Sequence, residues 1–111
     1  MTLTATLDVD IVDGVAVFEL HAENTGDTAA TVQFPTGQTV DVTVREADSE
    51  TLVWRWSDGQ LFAQTLREQT VRPGETIRET VRWETPQAGD YVAHGTLTAD
   101  ARPTAETTFS V

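Results

Sequence analysis

Apolar and polar residues alternate with a period of two through most of this chain, and this alternation is the strongest constraint on its fold. In the first segment, from Thr2 to Ile11, the apolar side chains share one parity and the polar side chains share the other. Turn-forming residues interrupt the alternation about every eight to twelve positions. The interruptions are DG, ENTGD, FPTGQ, EADSE, SDG, RPGE and TPQAGD. Successive side chains of a strand point to opposite faces, so each segment predicts a half-buried strand rather than a helix.

The alternation also predicts which side chains face the core. The predicted inward residues are Leu3, Ala5, Leu7, Val9 and Ile11; Ala16, Phe18, Leu20 and Ala22; Ala30, Val32 and Phe34; Val40, Val42 and Val44; Leu52, Trp54 and Trp56; Ile77, Val81 and Trp83; Tyr91, Ala93, Gly95, Leu97 and Ala99; Phe109 and Val111. Between the SDG and RPGE turns, the stretch QLFAQTLREQTV is less regular. No inward face is assigned to that stretch.

Eight or nine such strands, with no internal repeat or linker, predict an all-β fold: a single domain over residues 1–111 that forms an antiparallel two-sheet β-sandwich. An immunoglobulin-like sandwich fits this pattern best. Tyr91 supports it, because a tyrosine directly after an Ala-Gly-Asp turn resembles the tyrosine corner of such domains. The chain has no cysteine, so no disulfide joins the sheets. We expect the tryptophans to supply core volume instead, since each buries on the order of 200 Å².

Charge restricts the environment and the partners of the chain. Eighteen acidic residues outweigh seven basic ones, all of them arginine, and the net charge is −11. Because lysine is normally among the commonest residues, its absence predicts a protein of a halophilic cytoplasm. An acidic surface without a basic patch argues against nucleic acid and against an anionic membrane as partners. No signal-peptide pattern or long apolar run occurs, so a cytoplasmic location is expected.

The thermal stability of the chain is expected to rise markedly with salt. Repulsion among the carboxylates acts over a Debye length of about 10 Å at 0.1 M salt and only about 3 Å at 1 M. Thermal unfolding in about 0.1 M and about 3 M KCl measures the difference. Equal unfolding midpoints in the two solutions would contradict the halophilic interpretation.

The polar residues form no recognisable catalytic or metal-binding motif. The serines, Ser49, Ser57 and Ser110, do not lie in a nucleophile elbow. His21 is flanked by acidic residues on an outward face, and His94 is predicted to lie at the surface or at a sheet edge. In the segment DVDIVDG the acids have the wrong spacing for a calcium loop. We therefore expect no enzymatic activity, no metal and no cofactor.

Several segments, in order along the chain, are similar to those of one known family. They are the Asn24-Thr25 turn, FPTGQ with the alternating strand after it, the block VWRWSDGQLFAQTL, and the Pro73-Gly74-Glu75 turn before a strand that ends at Trp83. From the second strand to about Thr98, the chain resembles the intracellular proteinase inhibitors of the BsuPI type. The resemblance implies an immunoglobulin-like β-sandwich and, by association, inhibition of an intracellular subtilisin-type serine protease.

The first candidate for a protease contact lies within VWRWSDGQLFAQTL and comprises Asp58, Gly59, Gln60, Leu61 and Phe62. Trp54 and Trp56 are predicted to anchor it from the core, since alternate aromatic residues on one strand face bury a large area. Ser57-Asp58-Gly59 then forms the tip of the loop. Leu61 and Phe62 are adjacent and cannot both point inward from a regular strand. A subtilisin-like cleft binds extended segments and accepts large apolar side chains, so either residue is a candidate to fill a specificity pocket.

Other contacts and a second class of function remain open. The second candidate contact is the FPTGQ loop, which comprises Phe34, Pro35, Thr36, Gly37 and Gln38 and whose proline and glycine suit a fixed protrusion. The third is the turn Thr85–Asp90, which lacks an apolar anchor. The alternative function is a non-inhibitory interaction module that binds another cytoplasmic protein through a sheet edge or face. Neither hypothesis specifies an oligomeric state.

Overall fold

The computed structural model describes residues 3–111, and these residues form nine strands and no helix. The strands are β1 (Leu3–Val12), β2 (Val15–Asn24), β3 (Ala30–Phe34), β4 (Val40–Glu46), β5 (Leu52–Arg55), β6 (Arg67–Val71), β7 (Thr76–Trp83), β8 (Asp90–Leu97) and β9 (Thr104–Ser110). Within this part of the chain there is accordingly no helix that could span a membrane. The predicted all-β class is confirmed. The predicted place of Thr2 in the first strand lies outside the described residues.

Two main antiparallel sheets make up the sandwich. One has the strand order β1-β2-β7 and the other the order β5-β4-β8-β9, while β3 and β6 pair as a separate two-stranded ladder. The β1–β2 hairpin turns at Asp13-Gly14, where φ is 51° and 78°. Two successive positive φ angles match the right-handed twist of the strands, which is why Asp-Gly is favoured in such turns. The predicted hairpin is therefore confirmed.

The core lies between the inward faces of the two main sheets. Phe18 is at its centre, fully buried, and its ring stacks on Trp54 at 5.7 Å and meets Phe109 edge-on at 5.5 Å. Gly95 allows β8 to approach the opposite sheet closely, because a methyl group there would lie 3.2 Å from Leu7 Cδ1. All predicted inward residues of β2, β3, β4, β7 and β8 are buried. The alternation in these strands thus identified the core correctly.

At other positions the structure differs from the predicted faces. Ile11 is 41% exposed because it lies beside the Asp13-Gly14 hairpin, at the end of its sheet. The inward prediction for Leu52 is wrong: it is 48% exposed, because a register shift in the β4–β5 ladder pairs Trp54 with Val44 but Leu52 with Arg45. Trp54 and Trp56 pack against the core but are only partly buried. The irregular stretch contains β6, a strand in which only Val71 is buried. Because β6 has so little apolar alternation, it forms a strand through its hydrogen bonds to β3. The periodicity of its sequence does not predict this pairing.

The tyrosine corner predicted from AGDY is present. The Tyr91 hydroxyl donates a hydrogen bond of 2.7 Å to the carbonyl of Gln87, four residues upstream. The buried ring contacts Trp83 and Phe109, each with centroids 5.4 Å apart. The turn Thr85–Asp90 is thereby tied to the core. This confirms the prediction for Tyr91.

Asn24, at the end of β2, connects three parts of the fold. Its amide nitrogen donates to the carbonyls of Thr28 and Val71 at 2.9 and 2.8 Å, and its side-chain oxygen accepts from the Gly26 N–H at 2.9 Å. The residue is only 1% exposed. Its side chain therefore holds the turn after β2 and the end of β6 together.

Asn24→Ala is expected to lower the free energy of unfolding by about 2–4 kcal/mol, since it leaves a buried carbonyl without its donor and removes further hydrogen bonds. Urea denaturation measures the loss. Asp27→Ala, an exposed change in the same turn, is the matched control and should change stability by less than about 0.5 kcal/mol. Equal effects of the two substitutions would contradict this role of Asn24.

Candidate functional site

The first candidate contact lies in the long connection between β5 and β6. A turn over 56–59 begins this connection, and residues 60–66 then run on without a turn, a bend or a positive φ angle. Gly59 supplies the positive φ of the turn, 78°. The predicted loop tip at Ser57-Asp58-Gly59 is therefore present, and an extended segment follows it.

Hydrogen bonds to β4 fix the turn. The Trp56 N–H donates to the carbonyl of Val42 at 2.9 Å. Both the N–H and the hydroxyl of Ser57 donate to the Asp41 carboxylate, at 3.2 and 2.8 Å. Within the turn, the Gln60 N–H donates to the Ser57 carbonyl at 3.1 Å. The N-terminal side of the candidate contact is thus held against the sheet.

Leu61 and Phe62 point in different directions. Leu61 is 99% exposed, the highest value among the large hydrophobic side chains of the described residues. Phe62 is half-buried, with its ring 5.8 Å from that of Trp56. Adjacent residues of an extended chain point to opposite sides. Packing of Phe62 against Trp56 therefore directs Leu61 into solvent.

The second candidate loop meets the first. The Gly37 N–H donates to the Ala63 carbonyl at 2.8 Å. A methyl group on Gly37 would lie 3.3 Å from the Ala63 nitrogen, so the absence of a side chain allows the two segments this close contact. The loop also holds its own shape, because the Gln38 N–H donates to Thr36 Oγ1 at 3.1 Å. The second candidate loop is therefore bonded to the residue directly after the first candidate.

Phe34 plays a different part from the rest of the second candidate loop. It ends β3, is 1% exposed, and carries the Arg67 guanidinium 4.9 Å above its ring. Of the other residues, Pro35 and Gly37 are exposed, whereas Thr36 and Gln38 are half-buried. Phe34 thus supports the loop from the core, and the surface of the loop comes from the four residues after it.

Sequence reasoning did not identify Asp41 or Ala63, although both hold the candidate site in place. Asp41 is one of several polar residues on the outward face of β4, and nothing in that alternation distinguishes it. Ala63 lies in the irregular stretch. Each acts through a contact with a residue distant in sequence, Ser57 or Gly37.

Ser57→Ala should loosen the turn without unfolding the domain, because one hydroxyl hydrogen bond contributes about 1 kcal/mol. Amide hydrogen exchange at Asp58 and Gln60 is expected to become about fivefold faster, the factor that corresponds to this energy. Ser49→Ala, which removes a serine hydroxyl from the exposed turn after β4, is the control. If Ser57→Ala leaves these two amides unchanged, the hydroxyl bond to Asp41 does not hold the turn, and the bond from the Ser57 N–H, which the substitution keeps, is sufficient.

The histidines and Ser57, which were considered as catalytic or metal-binding residues, each have a different neighbour. His21 Nε2 lies 2.6 Å from Glu19 Oε1, whereas His94 faces Thr43 across the β4–β8 pair. The Ser57 hydroxyl donates to Asp41. Within residues 3–111, no three histidine, cysteine or acidic side chains are grouped so that they could hold a metal ion.

Comparison with protein families places the chain in one of them. The family model described as BsuPI, intracellular proteinase inhibitor, matches residues 3–102. The chain belongs to this family. The resemblance found in its ordered segments is thereby confirmed, and it extends over more of the chain than those segments. The sequence of this BsuPI chain matches no curated protein significantly.

Solved structures share the fold of the BsuPI chain at low sequence identity. The CARDB domain of the PF1109 protein from Pyrococcus furiosus, in complex with di-metal ions, has a TM-score of 0.52 and 21% identity, with 99% of this chain and 92% of that chain covered. A β-glucosidase from Kluyveromyces marxianus has a TM-score of 0.54 and 18% identity, and the match covers 99% of this chain and 14% of that chain. A penta-heme cytochrome c552 from Thermochromatium tepidum has a TM-score of 0.58 and 10% identity, and the match covers 96% of this chain and 39% of that chain. These similarities show the fold alone, and the CARDB likeness confirms the predicted immunoglobulin-like class.

Proposed function

We propose that this chain inhibits an intracellular subtilisin-type serine protease, and that Asp58–Phe62 makes the main contact. The observation that carries the proposal is the 99% exposure of Leu61 in a segment whose two sides are both held to the sandwich. Burying a leucine side chain in an apolar pocket contributes about 1.5–3 kcal/mol. Leu61 is therefore suited to be the residue that enters a specificity pocket.

The contacts around Leu61 make its segment inexpensive to bind. A flexible loop loses conformational entropy when a partner immobilises it, whereas a fixed loop has little left to lose. Ser57 is held by Asp41 on one side of Leu61, and Ala63 is held by Gly37 on the other. This arrangement supports binding in the extended form that subtilisin-like clefts accept.

The second loop is proposed as an adjoining contact. Because Gly37 is bonded to Ala63, a protease that covers Leu61 also approaches Pro35, Thr36 and Gln38. Phe34 contributes from the core rather than through its own surface. The turn Thr85–Asp90 ranks third, since Tyr91 gives part of it a structural role.

The proposed partner is a protein of the cytoplasm, and the proposed cytoplasm is halophilic. The family description as intracellular supports the location. The net charge of −11 and the absence of lysine support the halophilic setting and argue against nucleic acid and anionic membrane as partners.

A residual-activity assay tests the proposal. Several purified subtilisin-type proteases are assayed with the chain added at about micromolar concentration, in about 0.1 M and about 3 M KCl, and a chymotrypsin-type protease serves as the control. Inhibition of at least one subtilisin-type enzyme, without inhibition of the control, is expected. Unchanged activity of every subtilisin-type enzyme would contradict the proposal.

That negative result would favour a non-inhibitory interaction module. One observation supports this second candidate: β5 is an edge strand, and its Leu52 and Val53 are 48% and 38% exposed. An edge strand with exposed apolar side chains is a template for pairing with another chain.

A further inference from the structure

We infer that Leu61–Phe62 is the peptide bond which the protease attacks, and that the chain inhibits as a substrate that is cleaved slowly and reversibly. This inference rests on the proposed function. It adds the reactive bond and the reason why the chain is not consumed, neither of which follows from binding alone.

The backbone around this bond has the form of a protease substrate. Residues 60–66 contain no bend and no positive φ angle. Among the described residues, no hydrogen bond uses the backbone groups of Leu61 or Phe62. These groups are therefore free to pair with the edge of a cleft as an added strand does. The exposed Leu61 side chain would fill the pocket immediately before the attacked bond.

The chemistry is that of acyl transfer to a serine hydroxyl. The protease serine oxygen bonds to the Leu61 carbonyl carbon, the bond from that carbon to the Phe62 nitrogen breaks, and the serine proton passes through the protease histidine to the departing nitrogen. Water then releases Leu61 as a carboxylic acid and restores the serine. In the reverse direction the Phe62 amine attacks the acyl-enzyme and reforms the peptide bond. The competition between amine and water determines whether the chain is consumed.

Two contacts hold the Phe62 amine near the acyl carbon after the bond breaks. The Phe62 ring packs on Trp56, which is bonded to Val42 of β4, and the next residue, Ala63, accepts from Gly37. The acyl side is held separately, through Ser57 and Asp41. A reacting group held in place has an effective concentration far above that of a free one. Reformation of the bond is therefore favoured over release of the new chain end.

The sheets hold the two halves of the chain together after cleavage. Strands β1 to β5 precede the Leu61–Phe62 bond and strands β6 to β9 follow it. Each of the sheets contains strands from both halves: β2 pairs with β7, β3 with β6, and β4 with β8. A cut at this bond thus breaks the covalent chain in a connection and leaves every ladder intact. The cleaved protein is expected to stay folded and inhibitory.

The experiment uses the full chain and a purified bacterial subtilisin that it inhibits in the residual-activity assay. After prolonged incubation with catalytic amounts of the enzyme, mass spectrometry is expected to find fragments 1–61 and 62–111, which co-elute as one folded species in size-exclusion chromatography. The isolated cleaved protein, returned to fresh enzyme, is expected to inhibit and to regenerate some intact chain.

The results separate this inference from the proposed function. Inhibition with the chain left intact, or cut only at other bonds, would overturn the reactive bond while leaving the proposed function in place. If the chain inhibits no subtilisin-type enzyme, both the proposed function and this inference are overturned. Rapid cleavage at Leu61–Phe62 that ends the inhibition would overturn this inference alone, because the chain would then be consumed as an ordinary substrate after it binds.

Phe62→Ala tests the role assigned to the leaving group. Loss of the contact with Trp56 is expected to raise the steady-state rate of cleavage at this bond by about tenfold or more, because the amine escapes before it reacts. Leu66→Ala, a change of a 63% exposed residue in the same segment, is the control and should leave the rate unchanged. Circular dichroism of both variants verifies that they are folded. An unchanged cleavage rate in folded Phe62→Ala would overturn this part of the inference.

Discussion

Leu61→Ala is expected to weaken inhibition of a subtilisin-type protease by roughly ten- to a hundredfold. The substitution removes most of an apolar side chain whose burial in a pocket contributes about 1.5–3 kcal/mol, and a tenfold change in affinity corresponds to about 1.4 kcal/mol. Because Leu61 is 99% exposed in the free chain, the same change should leave the unfolding midpoint nearly unaltered. Inhibition constants and thermal melts of the two proteins measure these effects.

Leu66→Ala is the matched control for this prediction. Leu66 is an exposed leucine of the same extended segment, and it lies beyond the Gly37–Ala63 hydrogen bond. Its substitution should change inhibition by less than about threefold, since residues away from the centre of an interface contribute little. Equal losses from the two substitutions would mean that the segment binds without a specific pocket for Leu61.

Phe18→Ala is expected to give the largest loss of stability, about 3–5 kcal/mol, which corresponds to a fall of roughly 10–20 °C in the unfolding midpoint. Phe18 is fully buried at the centre of the sandwich, and its ring contacts both Trp54 of β5 and Phe109 of β9. These two strands are the opposite edges of the four-stranded sheet. Loss of the ring therefore leaves a cavity that neither edge can close.

Urea denaturation of Phe18→Ala and Val17→Ala measures this effect. Val17 is the preceding residue of β2, on the outer face, and is half-buried. Its truncation should cost about 1 kcal/mol or less, the usual span of side-chain preferences at such strand positions. Comparable losses at the two positions would contradict a core centred on Phe18.

The sequence by itself determined which faces of the strands form the core. Phe18, Phe34 and Leu97 were all predicted to face inward, and all are buried. The reason is that successive side chains of a pleated strand point to opposite faces, so a strand with one buried face has apolar residues at every second position of its sequence. Tyr91 was likewise identifiable, because its hydrogen bond reaches only four residues back along the chain. Properties set by neighbours in sequence were therefore predictable.

Only the tertiary structure decided how the candidate site is held. The sequence offers two adjacent apolar candidates in an irregular stretch, Leu61 and Phe62, and the contact of Phe62 with Trp56 determines that Leu61 is the exposed one. The hydrogen bonds from Ser57 to Asp41 and from Gly37 to Ala63 join residues far apart in the chain. Such contacts depend on which distant strands become neighbours. Unlike the β1–β2 hairpin, which the local Asp13-Gly14 turn predicts, pairing between strands far apart in the chain is a property of the whole sheet.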